Sequence, residues 1–182
     1  MPQIDALVRD LVWNRLIDDT LGFNANVDAV KAQGSYDSLD ADLVKNNGWK
    51  LGETCLWALV DPDLIEESSV MEYPFHCLEI ASRQGDGSNR WVMFSTFAGT
   101  ISFIILAHIS WIESDVVPNF ASYGDLVQDA MYATLNDPNN QMWVSSVAYS
   151  GLLQMTRGPI TFKGQNWRQT LTFTGTFAAV IP

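Results

Sequence analysis

Between Ile101 and Trp111 every second residue is apolar: Ile101, Phe103, Ile105, Ala107, Ile109 and Trp111. The intervening set, Thr100, Ser102, Ile104, Leu106, His108 and Ser110, is mixed. Strand side chains alternate between two faces, whereas a helix returns to one face about every 3.6 residues, so this run predicts a long, largely buried strand. The stretch from Asn166 to Ile181 alternates as cleanly. Leu171, Phe173, Phe177, Ala179 and Ile181 share one side, and Arg168, Thr170, Thr172, Thr174 and Thr176 share the other. A threonine row is what a sheet presents to solvent or to a partner.

The remaining elements follow from periodicity and punctuation. Ile4, Leu7, Val8, Leu11, Leu16 and Ile17 recur at helical spacing, which predicts an amphipathic helix over residues 4–21 with Gly22 as its stop. Residues 23–50 are polar, rich in Asn, Asp and Gly, and read as irregular, with at most a short helical piece at Asp40–Lys45. A short apolar segment covers Leu51–Val60. Tyr73-Pro74 introduces a strand over Phe75–Ala81, and Gln84–Asn89 has the composition of a turn. Tyr123, Leu126, Val127, Ala130, Met131 and Leu135 trace a second helical stripe. Ser122 with Asp125 is its expected capping box and Asp137-Pro138 its end. Further strands are expected over Met142–Met155, Gly158–Lys163 and Asn166–Ile181. This order predicts one α+β domain over residues 1–182: a mostly antiparallel β-sheet packed against two main helices, with an extended acidic loop or arm at 33–72.

The chain carries 21 Asp and Glu against 10 Lys and Arg, a net charge of −11. Nucleic-acid binding draws its affinity from cations on phosphates, so this balance argues against it. The charge is also uneven. Residues 138–182 hold Arg157, Lys163 and Arg168 and no acid at all. Such asymmetry points to a partner surface, although strand-rich sequence is poor in charge anyway. At 47% hydrophobic and 12% aromatic, the composition excludes disorder and favours a large core or broad contact surfaces. No apolar run is long enough to span a bilayer as a helix, and no basic region followed by an apolar run marks a secretory signal. A soluble chain made in a cytoplasm is expected.

Candidates for chemistry are few. His76 and His108 are the only histidines, and Cys55 and Cys77 the only cysteines. Two cysteines make no disulfide scaffold, and these lack metal-ligand spacing, so buried free thiols are expected. His76 and Cys77 are strand neighbours pointing to opposite faces, which leaves only Cys55 with His76 or His108 as an open thiol–imidazole pairing. Gly85-Asp86-Gly87 lacks the Lys-Ser/Thr and the helix of a phosphate loop, and reads as a hairpin turn. Asp61-x-Asp63 with Glu66 and Glu67 lacks the central Gly of a calcium loop, and reads as a solvated acidic loop. The tryptophans are scattered, which suits burial better than a stacking platform. No catalytic residue, cofactor or metal site is expected, and the reading is that of a non-enzyme.

The order of elements carries a resemblance. An N-terminal amphipathic helix reaches Gly22-Phe23, Tyr73-Pro74-Phe75 opens a strand, and the long strand ends at Ile109-Ser110-Trp111. The helix Tyr123–Leu135 with its Asp-Pro stop follows, then Trp143-Val144-Ser145-Ser146-Val147 and a closing strand ending Phe177-Ala178-Ala179-Val180. Over residues 1–24 and 73–181 the chain thus resembles the tail terminator (tail completion) proteins of long-tailed bacteriophages. The resemblance implies a viral structural protein that forms a ring, a hexamer, on the head-proximal end of the tail tube. The ring stops tube polymerisation and offers a docking face to the neck. Its implied partners are further copies of itself, the tail tube protein and a neck or head-completion protein, in the virion after assembly in the host cytoplasm. Residues 33–72 are longer and more acidic than that family implies. A neck or head–tail connector subunit is therefore the alternative, followed by a small-ligand or carbohydrate-binding α+β module.

A closed ring pairs two different surfaces of one chain. An acidic surface from residues 1–137 meeting a basic one from residues 138–182 suits such pairing, which makes Arg157, Lys163 and Arg168 the candidate interface residues. Arg168 is the strongest of them, since it shares the threonine side of the last strand. Contact with a neighbouring tube or neck ring, and plain exposure to water, are the competing placements.

Overall fold

The computed structural model describes residues 4–36, 55–57, 75–84, 90–92, 96–112, 117–136, 147–163 and 166–181. Helix α1 spans Ile4–Leu16, and α2, Phe23–Val30, continues into a π turn over Lys31–Ser35. Strands β1 (Cys55–Trp57), β2 (Phe75–Gln84), β3 (Arg90–Val92) and β4 (Thr96–Ile112) precede helix α3 (Val117–Leu135). Strands β5 (Val147–Arg157), β6 (Thr161–Lys163) and β7 (Asn166–Ile181) follow it. The strands form one sheet in the order β1-β2-β4-β7-β5, with β3 on β4 and β6 on β7. Every described pairing is antiparallel except the parallel pair β1–β2. The fold is α+β with a mostly antiparallel sheet, as the periodicities predict.

Strand β4 is the spine. Its pairing with β7 sets Ile105 opposite Phe173, Ala107 opposite Leu171, and Phe103 opposite Gly175. Gly175 presents no side chain to Phe103, whose ring centroid lies 5.1 Å from that of Phe177. Phe103, Ile105, Ala107, Ile109, Leu171, Phe173 and Phe177 are all buried, which is the apolar side the alternation predicts. Helix α3 closes over this layer with Tyr123, Leu126, Val127, Ala130, Met131 and Leu135, every one buried. Helix α1 adds Leu11, Val12, Trp13 and Leu16 to the same core, lying against β2 and α3, while α2 lies against α3. Removing each such large apolar side chain from water contributes about 1.5–3 kcal/mol before chain entropy opposes it.

Helices are where the structure departs from expectation. The first ends at Leu16 rather than near residue 21, and Phe23–Val30 is helical where an irregular segment is expected. Phe23, Val27 and Val30, at i, i+4 and i+7, are buried, so α2 has an apolar stripe that Asn24, Asn26 and Asp28 dilute. Two helices, α1 and α3, lie on the sheet as expected, and α2 is a third helix that lies against α3. Gly22 is not a stop but the extended residue that opens α2. A Cβ at this position would stand 2.2 Å from the Asp18 carbonyl oxygen and 2.7 Å from that of Leu16, so no other residue fits without backbone movement. The Asp18 carboxylate ties the turn, accepting from the N–H groups of Thr20 (2.9 Å) and Leu21 (2.8 Å) and from the Thr20 hydroxyl (2.8 Å). These bonds, the Leu21 one foremost, hold the Asp18 carboxyl below its ordinary pKa.

Helix α3 begins at Val117, so Ser122 and Asp125 lie inside it and form no capping box. Pro118 in the first turn needs no amide hydrogen there and is the better start signal. Strand β2 runs past Ala81 to Gln84, and the expected strand over 158–163 is confined to β6. The expected helical piece at Asp40–Lys45, the turn over 85–89, Asp137-Pro138, residues 142–146 and most of the arm at 33–72 lie outside the described residues.

Candidate functional site

Away from the core, β4 and β7 build a second row of cross-strand pairs. Ser102 meets Thr176, Ile104 meets Thr174, Leu106 meets Thr172, His108 meets Thr170, and Ser110 meets Arg168. Strand β5 extends the row with Gln154 beside Thr174 and Thr156 beside Thr172. The Thr174 hydroxyl donates to the Gln154 carbonyl at 3.3 Å. The β7 threonines, Ile104, Leu106 and His108 are half-buried, Thr156 is exposed and Ser110 is buried. This face is broad, weakly polar and, along these pairs, free of ionic charge from Ser102–Thr176 to Leu106–Thr172.

At its Arg168 end the face deepens into an open pocket of about 270 Å³. Strand β4 supplies His108 and Ser110, β7 supplies Arg168 and Thr170, the β5–β6 connection folds over to add Gly158 and Pro159, and β6 adds Thr161. Backbone bonding holds that connection down. The Gly158 N–H donates to the Thr170 carbonyl at 2.8 Å, and Gln169 Nε2 donates to the Gly158 carbonyl at 2.9 Å. A Cβ on Gly158 would stand 3.0 Å from the Thr170 carbonyl oxygen, so glycine permits the close approach. His108 Nδ1 lies 3.0 Å from the Thr170 hydroxyl oxygen, which orients the imidazole. Among the described lining residues the ionisable ones are His108 and Arg168, and none is a carboxylate.

The three cations singled out from the sequence do not form one patch. Arg157 ends β5 opposite Leu171, on the core side, and makes an ion pair with Asp125 of α3. Arg168 stands opposite Ser110 on the other side of the sheet, half-buried at the pocket. Lys163 closes β6 in register with Asn166. Near Arg157 the Tyr36 hydroxyl donates to Asp129 Oδ2 at 2.5 Å. Burial first, then that bond and the Asp129 charge, push Tyr36 up to about 12, with the Arg157 charge opposing. Asp125 and Asp129, one turn apart on α3, are thus engaged by two different segments. The company Arg168 does keep, His108, Ser110 and Thr170, escaped sequence reasoning; side-chain parity on each strand is legible, but strand register is not.

The backbone register also sets Cys55 beside His76 and Cys77 beside His108. Among the described residues no group of three His, Cys, Asp or Glu side chains is placed to hold a metal ion. No described helix is long and apolar enough to cross a membrane. Exposed apolar surface includes Leu153, 67% exposed on β5, and Phe162, whose ring packs 4.8 Å from that of Trp167. No family model matches the chain, and no curated protein matches it.

Proposed function

We propose that the protein is a tail terminator subunit of a long-tailed bacteriophage. In this reading it is a structural protein without catalytic activity, closing into a ring, six-membered in that family, on the head-proximal end of the tail tube. There it stops tube growth and meets a neck or head-completion protein, in the tail and neck of a virion assembled in the host cytoplasm.

The observation that carries this reading is the contrast between the two sides of the sheet. One side is a buried core covered by α1 and α3, with α2 packed against α3. The other is a lattice of threonines with Ile104 and Leu106. The β4–β7 rows from Ser102–Thr176 to Leu106–Thr172 carry short or apolar side chains, with Glu79 and Arg83 of β2 in register beside Leu106 and Ser102. Such a centre with charge at its margin suits contact with other chains, since interface centres are depleted in charged residues. Arg168, on the threonine side, and Lys163 remain the candidates to meet acids of a neighbouring subunit; Arg157 lies on the core side and is ion-paired with Asp125.

Electron microscopy of tail tubes grown with and without the protein tests the proposal. A ring at one tube end and arrested tube length are expected. A protein that neither binds tubes nor limits their length is not a terminator. A ring that joins neck assemblies and leaves tube length unregulated assigns the head–tail connector role instead.

The pocket favours a second reading, a small-ligand-binding α+β module. Ligand pockets commonly run to about 300–1,000 Å³, so this one is small. A carbohydrate is the weaker ligand class, because no Trp, Tyr or Phe is among the described lining residues.

A further inference from the structure

We infer that the pocket between β4, β7 and the Gly158–Thr161 connection is an oxyanion site shaped for a carboxylate. The inference is independent of the ring reading and goes beyond it. Its first basis is charge. Only 10 of the 182 residues are Lys or Arg in a chain of net charge −11, yet the described lining combines Arg168 and His108 with no acid. A guanidinium offers five N–H donors in a planar fork and no acceptor, so its engagement by one neighbour leaves capacity for a planar carboxylate.

The second basis is the ring of hydroxyls. Ser110, Thr161 and Thr170 line the same pocket. The Thr161 hydroxyl makes only a long bond, 3.5 Å, to the Arg168 carbonyl, and a hydroxyl hydrogen can turn from such a bond to an incoming acceptor. Ser110 is only 1% exposed and sits in register with Arg168, so both residues line the pocket from neighbouring strands. The third basis is rigidity. His108 is oriented by Thr170, and the covering connection is held by the Gly158–Thr170 and Gln169–Gly158 bonds. A site held in place before its ligand arrives loses less entropy on binding.

Two sources offer this chemistry: a free small carboxylate, and an Asp or Glu side chain of a second copy. Both are addressed by one probe. Citrate is titrated into the full-length chain at constant ionic strength while the His108 imidazole resonance is followed, identified by its loss in His108→Gln. A saturable shift with a millimolar or tighter dissociation constant is expected, weakened about tenfold or more in Arg168→Gln. Arg157→Gln, on the other side of the sheet, should bind citrate as the parent does. Where Arg168→Gln fails to fold by circular dichroism, Thr161→Val at an exposed position replaces it and should weaken binding in the same direction. Absence of a saturable shift, or equal affinity in the pocket variant, overturns the inference. Light scattering then separates the sources: citrate that dissociates an oligomer has displaced a carboxylate of another copy. Binding without a change in mass assigns a free small carboxylate.

Discussion

The Nε of Arg15 donates to the main-chain carbonyl of Thr134 at 2.9 Å, joining α1 to the last turn of α3 across 119 residues. Carbonyls in a helix's last turn have no partner within the helix and carry the negative end of its dipole, which a buried guanidinium complements. The Thr134 hydroxyl donates to the Ala130 carbonyl at 2.7 Å and accepts from Asn26 Nδ2 of α2 at 3.1 Å. All three helices therefore converge on one residue, itself fully buried.

Replacing Arg15 with Ala should destabilise the fold by about 2–4 kcal/mol, through a lost charge-assisted bond and lost packing. Arg15→Lys should recover only part of this, because an ammonium lacks the planar fork. Urea denaturation followed by tryptophan fluorescence measures both. A midpoint for Arg15→Ala equal to that of the parent would contradict the assignment.

Ile105 and Phe173 face each other in the β4–β7 register and are both fully buried. Either one replaced by Ala should cost about 2–5 kcal/mol by opening a cavity. Because the two touch the same space, the double variant should deviate from the sum of the singles. Strict additivity in a denaturation series would argue against the register.

Tyr36 makes the stability depend on alkaline pH. Its folded-state pKa of about 12 stands above the ordinary value of 10.0, so the folded protein holds the phenolic proton more tightly than the unfolded chain. That contribution is fully present below about pH 10 and is lost as the pH rises towards about 12. Across this window the parent should lose stability more steeply than Tyr36→Phe. Tyr123, also raised by burial, is common to both proteins and cancels in the comparison. Parallel curves would remove Tyr36 from the account.

Charge reversal separates the cations. Arg168→Glu with Lys163→Glu should weaken ring formation at low salt and change it less at moderate salt, where screening shortens the reach of charge to about 10 Å. Arg157→Glu should instead lower the stability of the subunit, since it sets a carboxylate against Asp125. Rings that form normally with both reversals would make Lys163 and Arg168 plain surface.

Strands were the most legible part of the chain. Ile105 and Phe173 declare their side by parity, a local property, and both are buried. Helix α2 was missed because Asn24, Asn26 and Asp28 lower its propensity, while the three apolar residues that hold it succeed only through burial against α3. The start of α3 was misplaced because a Ser–Asp pair imitates a cap wherever it falls; Pro118 carried the physical signal. At the pocket, Arg168 could be assigned to the threonine side from sequence. Its meeting with His108 and Ser110 depends on pairing between distant strands, as the 62-residue separation of His108 and Thr170 shows.

Strand β5 forms one margin of the sheet as described, and its pairing with β7 slips between Tyr149 and Leu152 and again between Leu152 and Gln154. A margin with even spacing is a template on which further copies can stack without limit. These two slips bend the strand and break the repeat of its outward-facing amides, so an incoming strand of the same sequence finds no continuous ladder to extend. Growth of the sheet into a fibre is thereby hindered along the strand that exposes Leu153.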